Sequence, residues 1–363
     1  MARTDGGPLQ VALVAPSMRI VGGQAVQAER LLRGWAGDGE VRAWLVPTNP
    51  VPPPVLQPAA KVKYARTLVT QLTFWPLLVR EISRADVVHS FSASYSSYVL
   101  STLPAMVVGR LLRRPVLVHY HSGEAPDHLA RSRLARWTLA RLADVIVAPS
   151  AFLQEVFARF GLRADVVHNT VDFERFPFRP RGALRPQLVS TRNLEKDYNV
   201  ACTLRAFAIL QGRYPDASLT VVGDGRQRPA LETLAVELGL RQVRFTGRVA
   251  PADIPRYYDE ADIYVQTPDI DNMPLSVLEA YASGAPVVAT NVGGLPSMLT
   301  DGVHGLLATA NDHHSVAARI IDLLEDPERA ARLAANAYER CRQYTWEAVR
   351  PEWLTVYRGL LRH

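Results

Sequence analysis

The sequence predicts an α/β protein with two Rossmann-like, doubly wound domains that face each other across a cleft. Three observations support this fold class: the chain has 363 residues, short apolar runs alternate with amphipathic stretches, and an Arg/Pro/Gly-rich segment at 179–186 divides it near its middle. This length favours two domains, and the alternation is typical of βαβ units with parallel sheets. We expect a first domain over residues 1–180, a second over 181–345, and a C-terminal helix over 346–363 that crosses back onto the first domain.

In the first domain, six apolar runs have the length and composition of buried strands. They are 10–15, 41–46, 86–90, 116–119, 145–148 and 164–168. Gly22 and Gly23 open a helix after the first strand, and the proline-rich stretch 46–60 predicts an irregular loop. Segment 61–84 has a helical apolar period and an internal proline, Pro76, that we expect to kink it.

The second domain repeats the alternation. Its predicted strands are 187–190, 218–222, 243–246, 263–266, 287–290 and 305–307. Helices fall between them, and the last predicted helix, 345–361, carries Trp346, Trp353 and Tyr357 as apolar anchors. Open parallel sheets bind ligands at the carboxyl ends of their strands, so the cleft is the expected ligand site.

Charge and cysteine content narrow the function classes. The net charge is +6, and residues 1–180 hold 21 Lys/Arg against 13 Asp/Glu, so the first domain is the one expected to meet an anionic partner. Two cysteines exclude a disulfide scaffold and a four-thiolate zinc site. We find no nucleic-acid-binding motif, secretory signal or membrane span, and therefore expect a cytoplasmic protein without a nucleic-acid partner.

The segment 261–294, ADIYVQTPDIDNMPLSVLEAYASGAPVVATNVGG, predicts a strand, a loop, a helix, a break and a second strand. A helix N-terminus with free amides suits a phosphate. Pro274 has no N–H, so the expected backbone donors are those of Asn272, Met273, Leu275 and Ser276. Asp271 and Glu279 suit sugar hydroxyls better than phosphate. The combination predicts a nucleotide-sugar ligand.

Arg192 and Lys196 follow the first strand of the second domain. Two fixed cations at that strand end would stabilise the charge that develops on a departing nucleoside diphosphate. Lys196 is the only lysine in the second half of the chain, which favours this interpretation over a solvated surface pair.

Segment 261–294 resembles the signature of the retaining GT-B glycosyltransferases of family 4. ADVIVAPS at 143–150, VHNTVDFERF at 167–176, VVGDG at 221–225 and FTGRV at 245–249 also resemble that family. The resemblance implies sugar transfer from a nucleoside-diphosphate sugar to a hydroxyl acceptor, with retention at the anomeric carbon, in polysaccharide or glycoconjugate synthesis. It implies no cofactor and no essential divalent metal.

The resemblance also implies roles for individual residues. Glu279 would bind the ribose, Arg192 and Lys196 the diphosphate, and Asp271 with the following amides the sugar. The backbone of Arg248 and Val249 would meet the base, Gly22 and Gly23 the diphosphate and acceptor, and His121 the sugar at its anomeric carbon. Asp271 stands where the family usually has Glu, which leaves the donor sugar open.

Other readings stay open at this stage. His119 with His121, and Asp269 with Asp271, match short metal-binding patterns, but neither has the context that a metal site needs. One alternative is a sugar phosphorylase of this fold, for which Lys196 would have to be the cofactor lysine. The other is a protein of this fold that binds a nucleotide or lipid without catalysing a reaction. Segment 61–84 is either an ordinary packed helix or a contact with an anionic membrane surface.

Overall fold

The structure is a computed structural model that describes residues 7–20 and 22–362, except for the side chain of Lys63. The chain divides into two compact units. The first unit runs to Thr170 and takes in the residues from Val349 onward, and the second unit spans Val171–Ala348.

The boundary between the units lies at Thr170, earlier than the expected position at residue 180. Val171 and Phe176 are buried in the core of the second unit, and the Val171 N–H donates to the Tyr344 carbonyl of the same unit at 2.9 Å. The arginine-rich stretch read as a linker is held equally firmly. Arg181 is buried and donates to the carbonyls of Tyr258, Ala261 and Ser283.

The first unit is built on a six-stranded parallel sheet. Its strands are β1 (Leu9–Ala15), β2 (Val41–Pro47), β3 (Val87–Ser92), β4 (Val116–Tyr120), β5 (Val145–Ala148) and β6 (Asp165–Val166). Its helices are α1 (Gly23–Gly34), α2 (Lys63–Ile82), α3 (Tyr95–Ser97), α4 (Leu103–Leu111), α5 (Ala125–Arg131), α6 (Arg133–Leu142) and α7 (Ala151–Arg159). The strand order is β2-β1-β3-β4-β5-β6.

The second unit has the same architecture. Its strands are β7 (Gln187–Thr191), β8 (Ser218–Val222), β9 (Val243–Gly247), β10 (Ile263–Gln266), β11 (Val287–Thr290) and β12 (Leu306–Ala308). Its helices are α8 (Val200–Arg213), α9 (Arg228–Glu237), α10 (Ile254–Glu260), α11 (Leu275–Ala282), α12 (Leu295–Met298), α13 (His313–Glu325) and α14 (Pro327–Cys341). The order is β12-β11-β10-β7-β8-β9, all parallel.

The predicted fold class is confirmed in each unit: a parallel sheet lies between helices, and its central strands are buried apolar runs. Strand order reverses between β1 and β3 in the first unit and between β7 and β10 in the second. At such a reversal the loops at the strand ends diverge and leave room for a ligand.

The last helix, α15 (Trp346–Leu360), belongs to the first unit from Val349 onward. Trp353 and Tyr357 are fully buried there. Arg350 fixes the helix further through an ion pair with Asp38, at 2.7 Å between Nε and Oδ2.

Helix α2 is continuous through Pro76, so the expected helix forms without ending at the proline. It buries Val69, Phe74, Leu78 and Ile82. A second row of large apolar side chains, the α2 stripe, is 40–82% exposed; it comprises Tyr64, Leu68, Leu72, Trp75 and Val79. Much of the apolar period seen in the sequence therefore faces away from the core.

Across the part of the chain that the structure describes, no helix has the length and apolarity needed to cross a bilayer.

Candidate functional site

The strand reversal of the second unit brings Arg192 and Asp271 together. Arg192 directly follows β7, and Asp271 lies in the loop between β10 and α11. Because β7 and β10 are paired parallel neighbours, the segments after them leave the sheet at the same edge.

Arg192 is almost completely enclosed, and its guanidinium has three neighbours. Nη2 donates to Asp271 Oδ2 at 2.6 Å, Nη1 donates to Ser276 Oγ at 3.3 Å, and the guanidinium carbon lies 4.0 Å from the ring centre of Tyr198. Burial is the largest single effect and lowers the pKa of Arg192, but the charge and hydrogen bond of Asp271 together with Tyr198 and Tyr264 raise the pKa above its ordinary value. Nε is buried without a partner among the described residues. Arg192 is therefore a fixed cation whose Nε–H has no acceptor in the described part of the chain.

Arg192 is predicted to bind a diphosphate and Asp271 a sugar, and the ion pair between them is not predicted from the sequence. The Asn272 amide is expected to be a free donor, but this N–H donates to Asp271 Oδ1 at 2.8 Å. Leu275 and Ser276 lie in the first turn of α11. Met273 is buried against the core of the unit.

Glu279 is half-buried on α11 and is held by a tyrosine from another helix. The Tyr258 hydroxyl lies 3.2 Å from Glu279 Oε2, 3.0 Å from the Ser276 carbonyl oxygen and 2.6 Å from Thr191 Oγ1. Burial and the Glu279 charge raise the pKa of Tyr258 well above its ordinary value, so the hydroxyl keeps its proton and can donate it. Tyr258 therefore holds Glu279 in place from a neighbouring helix.

Lys196 is exposed at the start of a 3₁₀ turn, and among the described residues its side chain makes no hydrogen bond or ion pair. Its loop is nevertheless fixed by Asn199, which caps α8 from a left-handed conformation with φ 43°. Asn199 Nδ2 donates to Asp269 Oδ1 and to Asn311 Oδ1, both at 2.8 Å. The backbone N–H of Asp269 donates in turn to the Asp197 carbonyl at 2.8 Å. The Lys196 loop and the Asp271 loop are thus tied to each other.

Glycines let two backbone segments approach the site loops closely. A Cβ on Gly293, which has φ +53°, would lie 2.0 Å from the Asp271 carbonyl oxygen. A Cβ on Gly294 would lie 2.1 Å from that of Asn272. On the other side, a Cβ on Gly223 would lie 1.9 Å from the Arg192 carbonyl oxygen. Only glycine fits at these places.

In the first unit, the start of α1 and the segments after β3 and β4 meet at one carbonyl. Ser92 O, the last residue of β3, accepts the His121 N–H at 3.0 Å and Gln24 Nε2 at 3.1 Å. This arrangement brings His121 and the Gly22–Gln24 start of α1 to the same sheet edge. A Cβ on Gly22 or Gly23 would meet no described atom within 4 Å, so the surrounding protein does not itself require glycine there.

The His121 ring stacks on Phe91, with ring centres 4.9 Å apart. Its Nε2 is buried without a partner among the described residues. Burial lowers the pKa of His121 to about 3, so the ring is neutral at pH 7.

Arg248 and Val249 follow β9, at the edge of the second sheet. Arg248 is exposed and Val249 packs partly against the core. They lie at the same end of the sheet as Arg192 but are two strands away from β7, and no described contact joins them to the Arg192–Asp271 pair.

No group of three or more His, Cys, Asp or Glu side chains in residues 7–20 and 22–362 is arranged to hold a metal ion. The Asp269–Asp271 pattern is divided between two tasks, since Asp269 binds Asn199 and Asp271 binds Arg192.

Sequence reasoning missed Tyr258, Asn199, Gly223 and Gly293 as supports of the site. Tyr258 has no recognisable signal, because it reaches Glu279 across 21 residues from another helix. The glycines did carry a signal: VVGDG and NVGG both follow strands, and a glycine after a buried strand often marks close backbone approach.

Two family models match successive parts of the chain. The model for glycosyl transferases group 1 matches residues 175–340, and the model for glycosyltransferase family 4 matches residues 21–175. A D-inositol 3-phosphate glycosyltransferase of Corynebacterium urealyticum is 36% identical over 165 residues, which are 43% of this chain and 39% of that relative. The match thus spans well under half of that relative's length.

Two solved structures share the fold over nearly the whole chain. The sucrose-phosphate synthase of Thermosynechococcus elongatus has a TM-score of 0.79 and 20% identity, covering 98% of this chain and 99% of its own. Anabaena HepE, solved in complex with UDP-glucose, has a TM-score of 0.74 and 20% identity, covering 97% of this chain and 100% of its own. At this identity the likeness concerns the fold.

Proposed function

The chain belongs to the group 1 glycosyltransferases, with a family-4-like GT-B fold, and from this premise we propose that it transfers a sugar from a nucleoside-diphosphate sugar to a hydroxyl acceptor with retention at the anomeric carbon. The observation that carries the proposal is the group at the strand reversal of the second unit: Arg192, whose Nε–H has no acceptor among the described residues, its partner Asp271, exposed Lys196 and tyrosine-supported Glu279. Cations beside hydroxyl-binding carboxylates suit a ligand with phosphate next to sugar.

Each side chain has a role that follows from its surroundings. Arg192 and Lys196 stabilise the negative charge that grows on the diphosphate as the sugar–oxygen bond breaks. Glu279 accepts hydrogen bonds from the ribose hydroxyls, and Asp271 accepts them from the sugar. Neutral His121 supports the positive charge that develops at the anomeric carbon without adding a charge of its own.

Retention needs no protein nucleophile in this scheme. The bond from the anomeric carbon to the phosphate oxygen breaks as the acceptor oxygen bonds to the same face of that carbon. The acceptor's proton passes to the departing phosphate oxygen. The reaction needs no resident cofactor and no divalent metal, so activity measured in EDTA should equal activity measured in Mg²⁺.

Donor hydrolysis tests the proposal without knowledge of the acceptor. We would incubate the full chain with UDP-glucose, GDP-mannose and related donors and measure nucleoside diphosphate release. Glu279→Ala and Lys196→Ala should each reduce release from the active donor by about 100-fold, the loss of one or two charged hydrogen bonds.

Matched controls are Glu237→Ala, an exposed helical glutamate of the same unit, and Lys61→Ala, an exposed lysine of the first unit. Both should hydrolyse donor like the parent. Unchanged hydrolysis in Glu279→Ala and Lys196→Ala would refute this site. Donor binding without any turnover would instead favour a non-catalytic nucleotide-binding protein.

The α2 stripe supports a second proposal, contact between the first unit and an anionic membrane surface. Residues 41–123 hold nine Lys/Arg (Arg42, Lys61, Lys63, Arg66, Arg80, Arg84, Arg110, Arg113 and Arg114) and two acids, Glu81 and Asp86. Glu81 is already paired with Arg80 at 2.6 Å. Exposed apolar side chains within a basic surface match an interface that combines acyl chains with anionic headgroups. The acceptor would then be an amphiphile.

Vesicle flotation tests this contact. The chain should float with vesicles of phosphatidylcholine and phosphatidylglycerol but not with phosphatidylcholine alone, and high salt should release it. Leu72→Glu should abolish flotation, whereas Val236→Glu, at an exposed valine of the second unit, should not. Binding that is independent of anionic lipid would remove the proposal.

A further inference from the structure

Three histidines and the last helix form a buried polar column in the first unit, of which the proposed reaction uses only His121 directly. Side chains two apart on a strand share a face, so His119 on β4 and His121 just beyond it lie on one face of the sheet. On β3, Phe91 is paired with His119, and His89 lies two residues before it on the same face. His89 and His119 are fully buried.

A chain of hydrogen bonds runs from α15 through the column. The Tyr357 hydroxyl lies 2.8 Å from His89 Nδ1, and His89 Nε2 lies 3.1 Å from His119 Nδ1. The ring of Trp353 covers both, with ring centres 4.7 Å from His89 and 4.9 Å from His119. The ring centre of His119 lies 4.0 Å from that of His121.

The number of protons in the column fixes its direction. Burial lowers the pKa of His89 to about 3 and that of His119 well below its ordinary value, so each ring carries one N–H at neutral pH. Tyr357 has one proton, and His89 is the only hydrogen-bond acceptor within reach of its hydroxyl among the described residues. Tyr357 therefore donates to His89 Nδ1, His89 donates from Nε2 to His119 Nδ1, and the His119 proton is left on Nε2.

That final N–H is buried with no partner of its own in the described part of the chain, next to the ring of His121. An N–H directed at a neutral imidazole is attracted to its ring electrons or its bare nitrogen, whereas a lone pair at the same place would favour the imidazole's own N–H. The tautomer of His119 thus influences how the His121 ring is held.

We propose that Tyr357 and His89 are positioning residues: they fix His119 as the Nε2–H tautomer, and His119 in turn orients His121 for the sugar. The assignment of the tautomer stands on the hydrogen-bond chain and on the neutrality of its buried rings, and it is independent of the proposed function. Its consequence for catalysis rests on the proposed function of His121.

The first test is spectroscopic and needs no substrate. Histidine-selective ¹⁵N labelling resolves ring tautomers among the nine histidines of the chain. His119 should be wholly Nε2–H in the parent and a mixture of both tautomers in Tyr357→Phe, which keeps the ring in place and removes only the hydroxyl. A parent His119 protonated on Nδ1, or an unchanged His119 in the variant, overturns the proposal.

The second test separates positioning from folding. Tyr357→Phe should lower kcat for donor hydrolysis about tenfold and change the donor KM less than twofold, because the groups that bind the nucleotide are untouched. Tyr98→Phe is the matched control, since it removes a buried hydroxyl of the same unit that bonds Thr138 at 2.5 Å. The control should lose a similar amount of thermal stability while keeping its kcat. Equal kcat in Tyr357→Phe and Tyr98→Phe refutes the effect of the column on catalysis. A parent protein without turnover refutes the proposed function, and the ¹⁵N measurement still tests the assignment of the His119 tautomer.

Discussion

Arg192 holds its charge inside the protein because Asp271 is its counter-ion at 2.6 Å. A buried ion pair contributes little net stability, but removing one partner is costly since the other charge stays buried. In this molecule a second anion, the diphosphate of the donor, is proposed to bind the same guanidinium. Arg192 would then exchange or share its partner whenever donor binds.

Asp271→Asn should make this exchange visible. The variant leaves the Arg192 charge unpaired, so it should lose about 3–5 kcal/mol of stability. A bound nucleoside diphosphate supplies the missing negative charge, and UDP or GDP should therefore raise the thermal midpoint of the variant more than that of the parent. Asp253→Asn, at an exposed aspartate of the same unit, should behave like the parent. Equal ligand-induced shifts in the Asp271 variant and the parent would contradict the shared-partner argument.

At the scale of the elements, the segment after β11 supports the loop after β10. The N–H of Gly294 donates to the Asp271 carbonyl at 3.1 Å, and Gly293 approaches that carbonyl too closely for any side chain. The geometry of the Asp271 loop therefore depends on a neighbouring connection.

Gly293→Ala should displace the Asp271 loop and reduce donor hydrolysis by at least tenfold. The matched control is Gly302→Ala, which has a comparable φ of +71° but no neighbouring atom within 4 Å of the added Cβ. Both variants pay the left-handed backbone cost of about 1–2 kcal/mol, so both should lose stability, measured as the thermal midpoint. Only Gly293→Ala should lose activity; equal activities would show that the close approach does not matter.

The histidine column makes the first unit sensitive to acid. Burial lowers the folded-state pKa of His89 and His121 to about 3, while in the unfolded chain they titrate near 6.5. Below about pH 6.5 the unfolded state binds protons that the folded state does not, so stability falls as pH falls toward 4. Each such histidine contributes a slope of up to about 1.4 kcal/mol per pH unit.

Thermal midpoints between pH 7.5 and 5 check this slope. His89→Gln should flatten the decline relative to its own value at pH 7.5, whereas His314→Gln, at an exposed histidine of α13, should leave the decline as it is. If stability declined identically in His89→Gln and the parent, protonation of His89 in the unfolded state would not be the cause of the loss of stability in acid.

For the whole molecule, local pattern was enough to predict the parallel sheets and the family. Runs such as Val11–Ala15 and Val287–Ala289 are apolar throughout because both faces of the strands are covered, and this signal is present in the sequence. The family resemblance of segment 261–294 is confirmed by the matched family models. The roles of Glu279, Lys196, Arg248 and the remaining site residues stay predictions.

What could not be predicted depends on contacts between distant residues. The Arg192–Asp271 pair joins residues 79 apart, and it exists only because β7 and β10 are neighbours. The domain boundary moved because Val171 packs beside Tyr344, far along the chain. Helix α2 has two rows of apolar side chains, and both rows repeat with the helical period. The period alone therefore could not show which row packs against the core.

The first unit is discontinuous, and this has a consequence during synthesis. The ribosome makes the part of the chain up to Thr170 before the second unit, but the helix that covers His89 and His119 emerges only after the entire second unit has been made. The nascent amino-terminal half must wait with that face of its sheet bare, while Val171–Ala348 can fold without interruption. The first unit is therefore translated first but completed last. A chain released before Trp353 would contain a complete second unit and a first unit that lacks its last helix.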